Sequence, residues 1–265
     1  MIAVRIADTE VEMKKYKRKL SLIFLCILLC VSLVGCTDGQ SKAAYTQIVL
    51  REGQDAGEEY IDSFIFLGES TTYHLKSRGV LKGGTKTTQV WSNKLGTINL
   101  DAGIASLKIV YPETGEELAL SDALCRRRPE RMILTFGLNG ATDKIRRGEE
   151  YFRKCYLSLI DVIRASNPDT EIILQSCFPI GKGMDMSAYS VDAATLCSYI
   201  ERINSWTLDL AESEGLKYLN TAETLKDEEG FLRAEYCADD GYHLNTAAYK
   251  AILWYIRTHP CKEDI

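Results

Sequence analysis

The chain has 265 residues, of which 46% are hydrophobic and 26% charged, and its formal net charge is −5 at pH 7. This composition excludes an intrinsically disordered chain and provides the core of one α/β domain behind a targeting segment. The acidic balance argues against nucleic acid as a partner. Nine cysteines and three histidines show no metal-ligand spacing, so we expect neither a metal nor another cofactor.

The first 36 residues are typical of an export signal. A basic run at residues 14–19 precedes an apolar run at residues 20–34, which is shorter than the ~20 residues that a membrane span needs. The run ends on Leu33-Val34-Gly35-Cys36, which resembles a bacterial lipobox with Cys36 as the lipidated residue. The alternative is an N-terminal anchor helix with a chance cysteine. We expect Met13 to be the better start, because acidic residues precede the basic run.

These features predict three segments: a signal (residues 1–35), a lipidated N-terminus with a flexible tether (residues 36–58) and one folded domain (residues 59–265). The predicted location is the outer face of the bacterial cytoplasmic membrane. Losing residues 1–35 removes six basic and three acidic residues, which changes the net charge from −5 to −8. Membrane attachment would therefore come from the lipid alone. Six cysteines remain in the domain, as disulfides or as buried free thiols.

Strands and helices alternate along the predicted domain. Short apolar runs bounded by turn residues predict buried strands at residues 64–67, 88–92, 131–136, 171–175 and 216–219. Helical periodicity predicts helices at residues 70–77, 121–128, 144–165, 191–214 and 246–258. Residues 107–111 and 117–120 flank a Pro-Glu-Thr-Gly turn, which indicates a hairpin. The pattern predicts an α/β fold of three layers, α/β/α, with a five-stranded parallel sheet and a small β-hairpin insertion.

Ser70 follows the first predicted strand, in Gly68-Glu69-Ser70, and begins the next helix. Ligands of open α/β sheets bind at the carboxyl edge of the strands, and the N–H groups at a helix N-terminus favour negative charge. A nucleophilic hydroxyl would suit this position. The alternative is that Ser70 serves only as the N-cap of the helix.

Three further strand ends or loops carry polar or glycine residues. Gly96 follows the second predicted strand, Asn139 follows the third in Gly137-Leu138-Asn139-Gly140, and Asp240-Gly241-Tyr242-His243 follows the fifth. Each also has a purely structural explanation as a turn residue. Tyr242 either packs under its loop or lines a substrate site.

Together, the segments at Ser70, Gly96, Asn139 and residues 240–243 resemble the four sequence blocks of the SGNH/GDSL hydrolases, in the same order and at similar spacing. The resemblance covers residues 62–259 and implies a flavodoxin-like fold with sheet order 2-1-3-4-5. It implies Ser70 as nucleophile, His243 as general base and Asp240 as the residue that orients it. It also implies an oxyanion hole formed by the N–H groups of Ser70 and Gly96 and the Asn139 side chain.

Two departures concern the support of these loops. Glu69 and Gly140 stand where the family usually has Asp. The nucleophile, base and oxyanion donors are all retained. The departures leave open how the loops are braced and which substrate subfamily applies.

The resemblance to these hydrolases implies a serine esterase without a cofactor, whose substrate is a small acyl ester, with O-acetylated glycans among the candidates. The lipobox-like sequence adds the expectation that this esterase is anchored at the surface. The second function class is an inactive lipoprotein that keeps the fold as a glycan- or ligand-binding module. The intact set of functional residues favours the enzyme.

Among the three histidines, we expect His243 to be the only base. We expect His74 to be a helix-surface or packing residue and His259 to lie at the end of the last helix. The sequence leaves open the acyl chain length of the substrate, its alcohol part and the oligomeric state of the protein.

Overall fold

The computed structural model describes residues 48–261. The predicted signal, Cys36 and most of the predicted tether lie outside the described residues. Seven strands occur in this part of the chain: β1 (Phe64–Gly68), β2 (Val90–Trp91), β3 (Lys108–Val110), β4 (Glu117–Ala119), β5 (Arg131–Thr135), β6 (Glu171–Gln175) and β7 (Lys217–Leu219).

Five of these strands form one parallel sheet in the order β2-β1-β5-β6-β7. Strands β3 and β4 pair with each other, antiparallel, and form the predicted hairpin insertion. Without the hairpin, the sheet order is 2-1-3-4-5, as the resemblance implied. The carboxyl ends of β1 and β5 are direct neighbours, because Gly68 pairs with Thr135.

Eight α-helices connect or flank the strands within residues 48–261: α1 (Gly57–Asp62), α2 (Ser70–Ser77), α3 (Leu120–Arg127), α4 (Ala141–Arg147), α5 (Glu149–Ser166), α6 (Ala193–Glu214), α7 (Ala222–Leu225) and α8 (Thr246–Thr258). The helix predicted at residues 144–165 is in fact two helices. Gly148 separates α4 from α5 with a φ of +87°, a conformation that glycine adopts far more readily than other residues.

Hydrophobic cores lie on both faces of the sheet. Phe64 and Phe66 of β1 pack into one core with residues of α1, α2 and α8. Ile65 and Leu67 pack into the other with residues of α3, α5 and α6. Successive side chains of a strand point to opposite faces, so this alternation requires helices on both sides. The predicted three-layer α/β/α architecture is confirmed.

The end of the predicted tether packs on the domain. Leu50 is buried and its N–H donates to the Tyr218 carbonyl at 2.9 Å. The Gly53 N–H donates to the Thr258 carbonyl at 2.7 Å. These contacts attach the chain to β7 and α8 before α1 begins.

The described residues also bear on membrane contact and on cysteine chemistry. Between residues 48 and 261, no helix is both long and apolar enough to cross a membrane. Five cysteines in this range are free thiols, of which Cys155 and Cys177 are buried: Cys125, Cys155, Cys177, Cys197 and Cys237. This outcome selects the free-thiol alternative for these five cysteines.

Candidate active site

Gly68 lets the chain turn from β1 into α2. A Cβ atom at this position would lie 2.5 Å from the Thr135 carbonyl oxygen and 2.3 Å from Thr72 Oγ1, so no larger residue fits. The close approach of the two backbones places Ser70, two residues later, at the carboxyl edge of the sheet. Ser70 is the first residue of α2, where backbone N–H groups have no acceptor within the helix.

His243 and Asp240 face Ser70 from the loop before α8. The distance from Ser70 Oγ to His243 Nε2 is 3.1 Å, and the distance from His243 Nδ1 to Asp240 Oδ2 is 2.6 Å. Both distances are within hydrogen-bond range. The structure therefore brings together the three residues that the resemblance implied as nucleophile, base and orienting acid.

A tight turn holds Asp240 in place. Its Oδ1 accepts the N–H groups of Tyr242 at 3.0 Å and His243 at 2.8 Å. Loss of hydration raises the pKa of Asp240, but the hydrogen bonds from the His243 side chain and from these two N–H groups outweigh it and keep the pKa below its usual value. Asp240 is thus ionised at neutral pH and fixes the proton of His243 on Nδ1.

Asn139 is connected to the segment that carries the base through Tyr242. Its Nδ2 donates to Thr97 Oγ1 at 2.9 Å and to Asn99 Oδ1 at 3.1 Å. Its Oδ1 accepts the hydroxyl of Tyr242 at 2.9 Å. The Asn139 amide therefore connects the loop after β2 with the loop that carries the base.

Gly96 lies in the same loop as Thr97 and Asn99. Its φ is +70°, and a Cβ atom here would lie 2.9 Å from the ring of Tyr73, so the position requires glycine on two grounds. The Gly96 N–H donates to the Asn93 carbonyl at 3.1 Å. Gly96 is thus placed beside the residues that contact Asn139, while its N–H closes a turn.

Glu69 is a buried residue of the site to which we assigned no role from the sequence. Its side chain is buried, and its two carboxylate oxygens accept the N–H groups of Gly137 and Asn139, each at 2.9 Å. Burial raises the pKa of Glu69, while the charge of the buried Lys144 and the N–H donors act against this shift. The Lys144 ammonium also donates to the Asn139 carbonyl. Glu69 and Lys144 thus hold the backbone on both sides of Asn139.

His74 packs against the base. The centroids of the His74 and His243 rings are 4.4 Å apart, with the ring planes inclined by 38°. Burial, followed by the charges of His243 and Arg78, lowers the pKa of His74 to about 4, so its ring is neutral at pH 7. His74 Nδ1 is buried and has no hydrogen-bond partner among the described residues. The third histidine, His259, stacks on Tyr255 at the end of α8 with a centroid distance of 3.6 Å.

No group of three or more His, Cys, Asp or Glu side chains within residues 48–261 is arranged to hold a metal ion. The polar groups gathered at the sheet edge are instead a hydroxyl, an imidazole, a carboxylate and hydrogen-bond donors. This set suits nucleophilic attack on a carbonyl group.

Comparison with known proteins gives matches to a family and to solved structures, and no curated protein matches the chain. A DUF4886 family protein from Bacteroides uniformis is 14% identical, with a TM-score of 0.49 over 76% of this chain and 83% of that one. A Desulfitobacterium hafniense protein assigned to the lipolytic G-D-S-L family is 14% identical, with a TM-score of 0.48 over 73% and 97%. The periplasmic domain of a Salmonella Paratyphi A lipopolysaccharide acetyltransferase is 14% identical, with a TM-score of 0.43 over 77% and 82%.

One family model matches a range of the chain that contains all the candidate site residues. The GDSL-like lipase/acylhydrolase family matches residues 66–251, which is most of the chain. This range contains Ser70, Gly96, Asn139, Asp240 and His243. The chain belongs to the GDSL-like lipase/acylhydrolase family.

Proposed function

We propose that this chain is a serine esterase that cleaves carboxylic esters through Ser70, His243 and Asp240. The observation that carries the proposal is the unbroken line of polar contacts from Ser70 Oγ to His243 Nε2, at 3.1 Å, and from His243 Nδ1 to Asp240, at 2.6 Å. A serine hydroxyl is a weak nucleophile at neutral pH unless a base accepts its proton, and the base needs a third group to fix its tautomer.

The chemistry follows from this geometry. Ser70 Oγ attacks the ester carbonyl carbon while His243 Nε2 accepts the hydroxyl proton. The C–O bond to the alcohol then breaks, and His243 returns the proton to the leaving alkoxide. A water molecule, deprotonated by His243, attacks the acyl-enzyme and releases the carboxylic acid and free Ser70. Ionised Asp240 stabilises the imidazolium that forms in each step.

The negative charge on the carbonyl oxygen would be stabilised by three donors: the Ser70 N–H, the Asn139 amide and the Gly96 N–H. Both Asn139 Nδ2 hydrogens contact side-chain oxygens here, and Asn99 is the exposed one of the two acceptors. We therefore propose that the substrate oxygen displaces Asn99. The Gly96 N–H would need to leave the Asn93 carbonyl. One such donor contributes roughly 3–4 kcal/mol to transition-state stabilisation in related acyl-transfer sites.

We further propose that short acyl groups, and in particular acetyl esters such as those on glycans, are the preferred substrates. The support comes from the sequence: modest loops join the four blocks, and the mature chain, with a net charge of −8, is repelled by anionic phospholipid surfaces. The measurement is kcat/KM on acetyl and octanoyl esters of one alcohol. A faster octanoyl reaction would contradict this part of the proposal.

The location is also proposed. Lipid on Cys36 would hold the enzyme on the outer face of the bacterial cytoplasmic membrane, with support from the basic run, the apolar run and the lipobox-like sequence. The chain would need no other membrane contact.

A covalent serine probe tests the central proposal. A fluorophosphonate should label the wild-type chain, and Ser70→Ala should abolish both labelling and hydrolysis of an acetyl ester. Ser77→Ala is the matched control, because Ser77 lies on the same helix and is exposed. Equal labelling of a folded Ser70→Ala variant would show that another residue is the nucleophile.

A further inference from the structure

The side-chain amide of Asn139 can serve as an oxyanion donor in only one of its two orientations. An asparagine amide has a donor nitrogen and an acceptor oxygen of nearly equal size. A rotation by 180° would exchange Nδ2 and Oδ1 and would place a lone pair where the developing negative charge needs a donor. The site therefore requires a group that selects the orientation of this amide.

Tyr242 contacts Asn139 on the side away from Thr97 and Asn99. Its hydroxyl donates to Asn139 Oδ1 at 2.9 Å, while Nδ2 donates to the loop after β2. A phenol is a better hydrogen-bond donor than acceptor. Burial, together with the nearby Glu69 carboxylate, raises the pKa of Tyr242, so the hydroxyl keeps its proton at neutral pH and remains a donor.

The position of Tyr242 is itself fixed by the base loop, the segment of residues 240–243 that carries Asp240 and His243. Its backbone N–H donates to Asp240 Oδ1 at 3.0 Å, and its ring meets the His243 ring edge-on, with a centroid distance of 5.0 Å. The hydroxyl that holds Asn139 thus belongs to the same four-residue segment as the base and the acid.

We propose that Tyr242 is a positioning residue that orients the Asn139 amide for oxyanion binding and connects the base loop to the oxyanion hole. Glu69 holds the Asn139 backbone N–H, and Tyr242 holds the side chain, so the two residues fix Asn139 at separate atoms. This inference rests on the proposed function, in which Asn139 is an oxyanion donor.

The test is a double-mutant cycle on Tyr242 and Asn139, measured as kcat and KM on an acetyl ester. Tyr242→Phe keeps the ring and removes one hydrogen bond, so we expect kcat to fall ~3- to 10-fold with little change in KM. Asn139→Ala should lower kcat by roughly 100-fold or more. In the Asn139→Ala background, Tyr242→Phe should lower kcat less than about twofold, because the amide it orients is gone.

The outcomes separate this inference from the proposed function. If Asn139→Ala has wild-type kcat, the oxyanion role of Asn139 fails, whatever Tyr242 does. If Asn139→Ala is slow while Tyr242→Phe is unaffected, or if the two losses multiply in the double variant, the role of Tyr242 is overturned. Tyr236→Phe is the matched control, because it removes a tyrosine hydroxyl nearby in the chain with no contact to Asn139 among the described residues. Thermal unfolding of each variant shows that it is folded.

Discussion

Replacing His74 with Phe should protect the fold against acid. His74 packs against His243 at a centroid distance of 4.4 Å, and burial, His243 and Arg78 lower its pKa to about 4, against the smaller opposing effect of Asp240. An unfolded histidine has a pKa of about 6.5. As the pH falls from 6.5 towards 4, the unfolded chain therefore binds a proton at this position and the folded chain does not. The stability contributed by this group is present above pH 6.5 and is lost as the pH falls.

The size of this loss follows from the displacement of the pKa. A tenfold change in proton affinity corresponds to ~1.4 kcal/mol, so the full displacement corresponds to ~3 kcal/mol. Part of the His74 ring meets solvent, which screens the charge, so we expect about half of this value, ~1.5 kcal/mol. Phe keeps the ring and cannot bind a proton.

The assay is urea denaturation of wild type and His74→Phe at pH 7 and pH 4. The free energy of unfolding of the variant, relative to that of wild type, should rise by ~1.5 kcal/mol between pH 7 and pH 4. The control is Ser77→Ala on the exposed side of the same helix, which should follow the wild-type pH dependence. If His74→Phe loses stability with acid as steeply as wild type, the assignment of a neutral, desolvated His74 is wrong.

Three further predictions concern the catalytic base, the buried pair Glu69 and Lys144, and the lipidation of Cys36. His243→Ala should lower kcat by several orders of magnitude and Asp240→Asn by a smaller but large factor, whereas His259→Phe, which removes an imidazole outside the site, should leave ester hydrolysis near wild type. Glu69→Gln should lower the free energy of unfolding by ~3 kcal/mol or more in denaturant titrations, since it leaves the buried Lys144 charge uncompensated, and adding Lys144→Met should recover part of the loss. Cys36→Ala should abolish fatty-acid labelling of the expressed chain, and labelling that persists would refute the lipobox interpretation.

The sheet could be predicted because its strands are short apolar runs buried on both faces. Residues 64–67 and 131–136 are examples, and both lie at the centre of the sheet. The break at Gly148 was missed because helical periodicity continues on both sides of it, and a single glycine is tolerated inside many helices. Packing of residues 49–56 on β7 and α8 could not be predicted, since backbone hydrogen bonds of an irregular segment leave no side-chain pattern.

The candidate site likewise has residues that the sequence predicts and contacts that it does not predict. Ser70, Asn139, Asp240 and His243 could be named because each is a polar residue at a strand end or in a loop and matches a block of the family. The contacts that hold them depend on which atoms come within 3 Å, and the sequence does not give that. His74 illustrates the difference: the sequence predicts only a helix-surface or packing residue, whereas its contact with the His243 ring and its lowered pKa follow from the fold.

The two departures from the family pattern, at Glu69 and Gly140, are connected through Lys144. Glu69 accepts two backbone N–H groups of the Asn139 loop, and Lys144 supplies the buried positive charge next to it. Gly140 has a φ of +67°, and a Cβ atom at this position would lie 3.8 Å from Lys144 Nζ. An aspartate at position 140 would therefore strain the backbone and add a second carboxylate beside a single ammonium group. Gly140 is exposed and suits the left-handed turn, while Glu69 and Lys144 hold the backbone of the loop that presents Asn139, so this loop is braced without the usual aspartates.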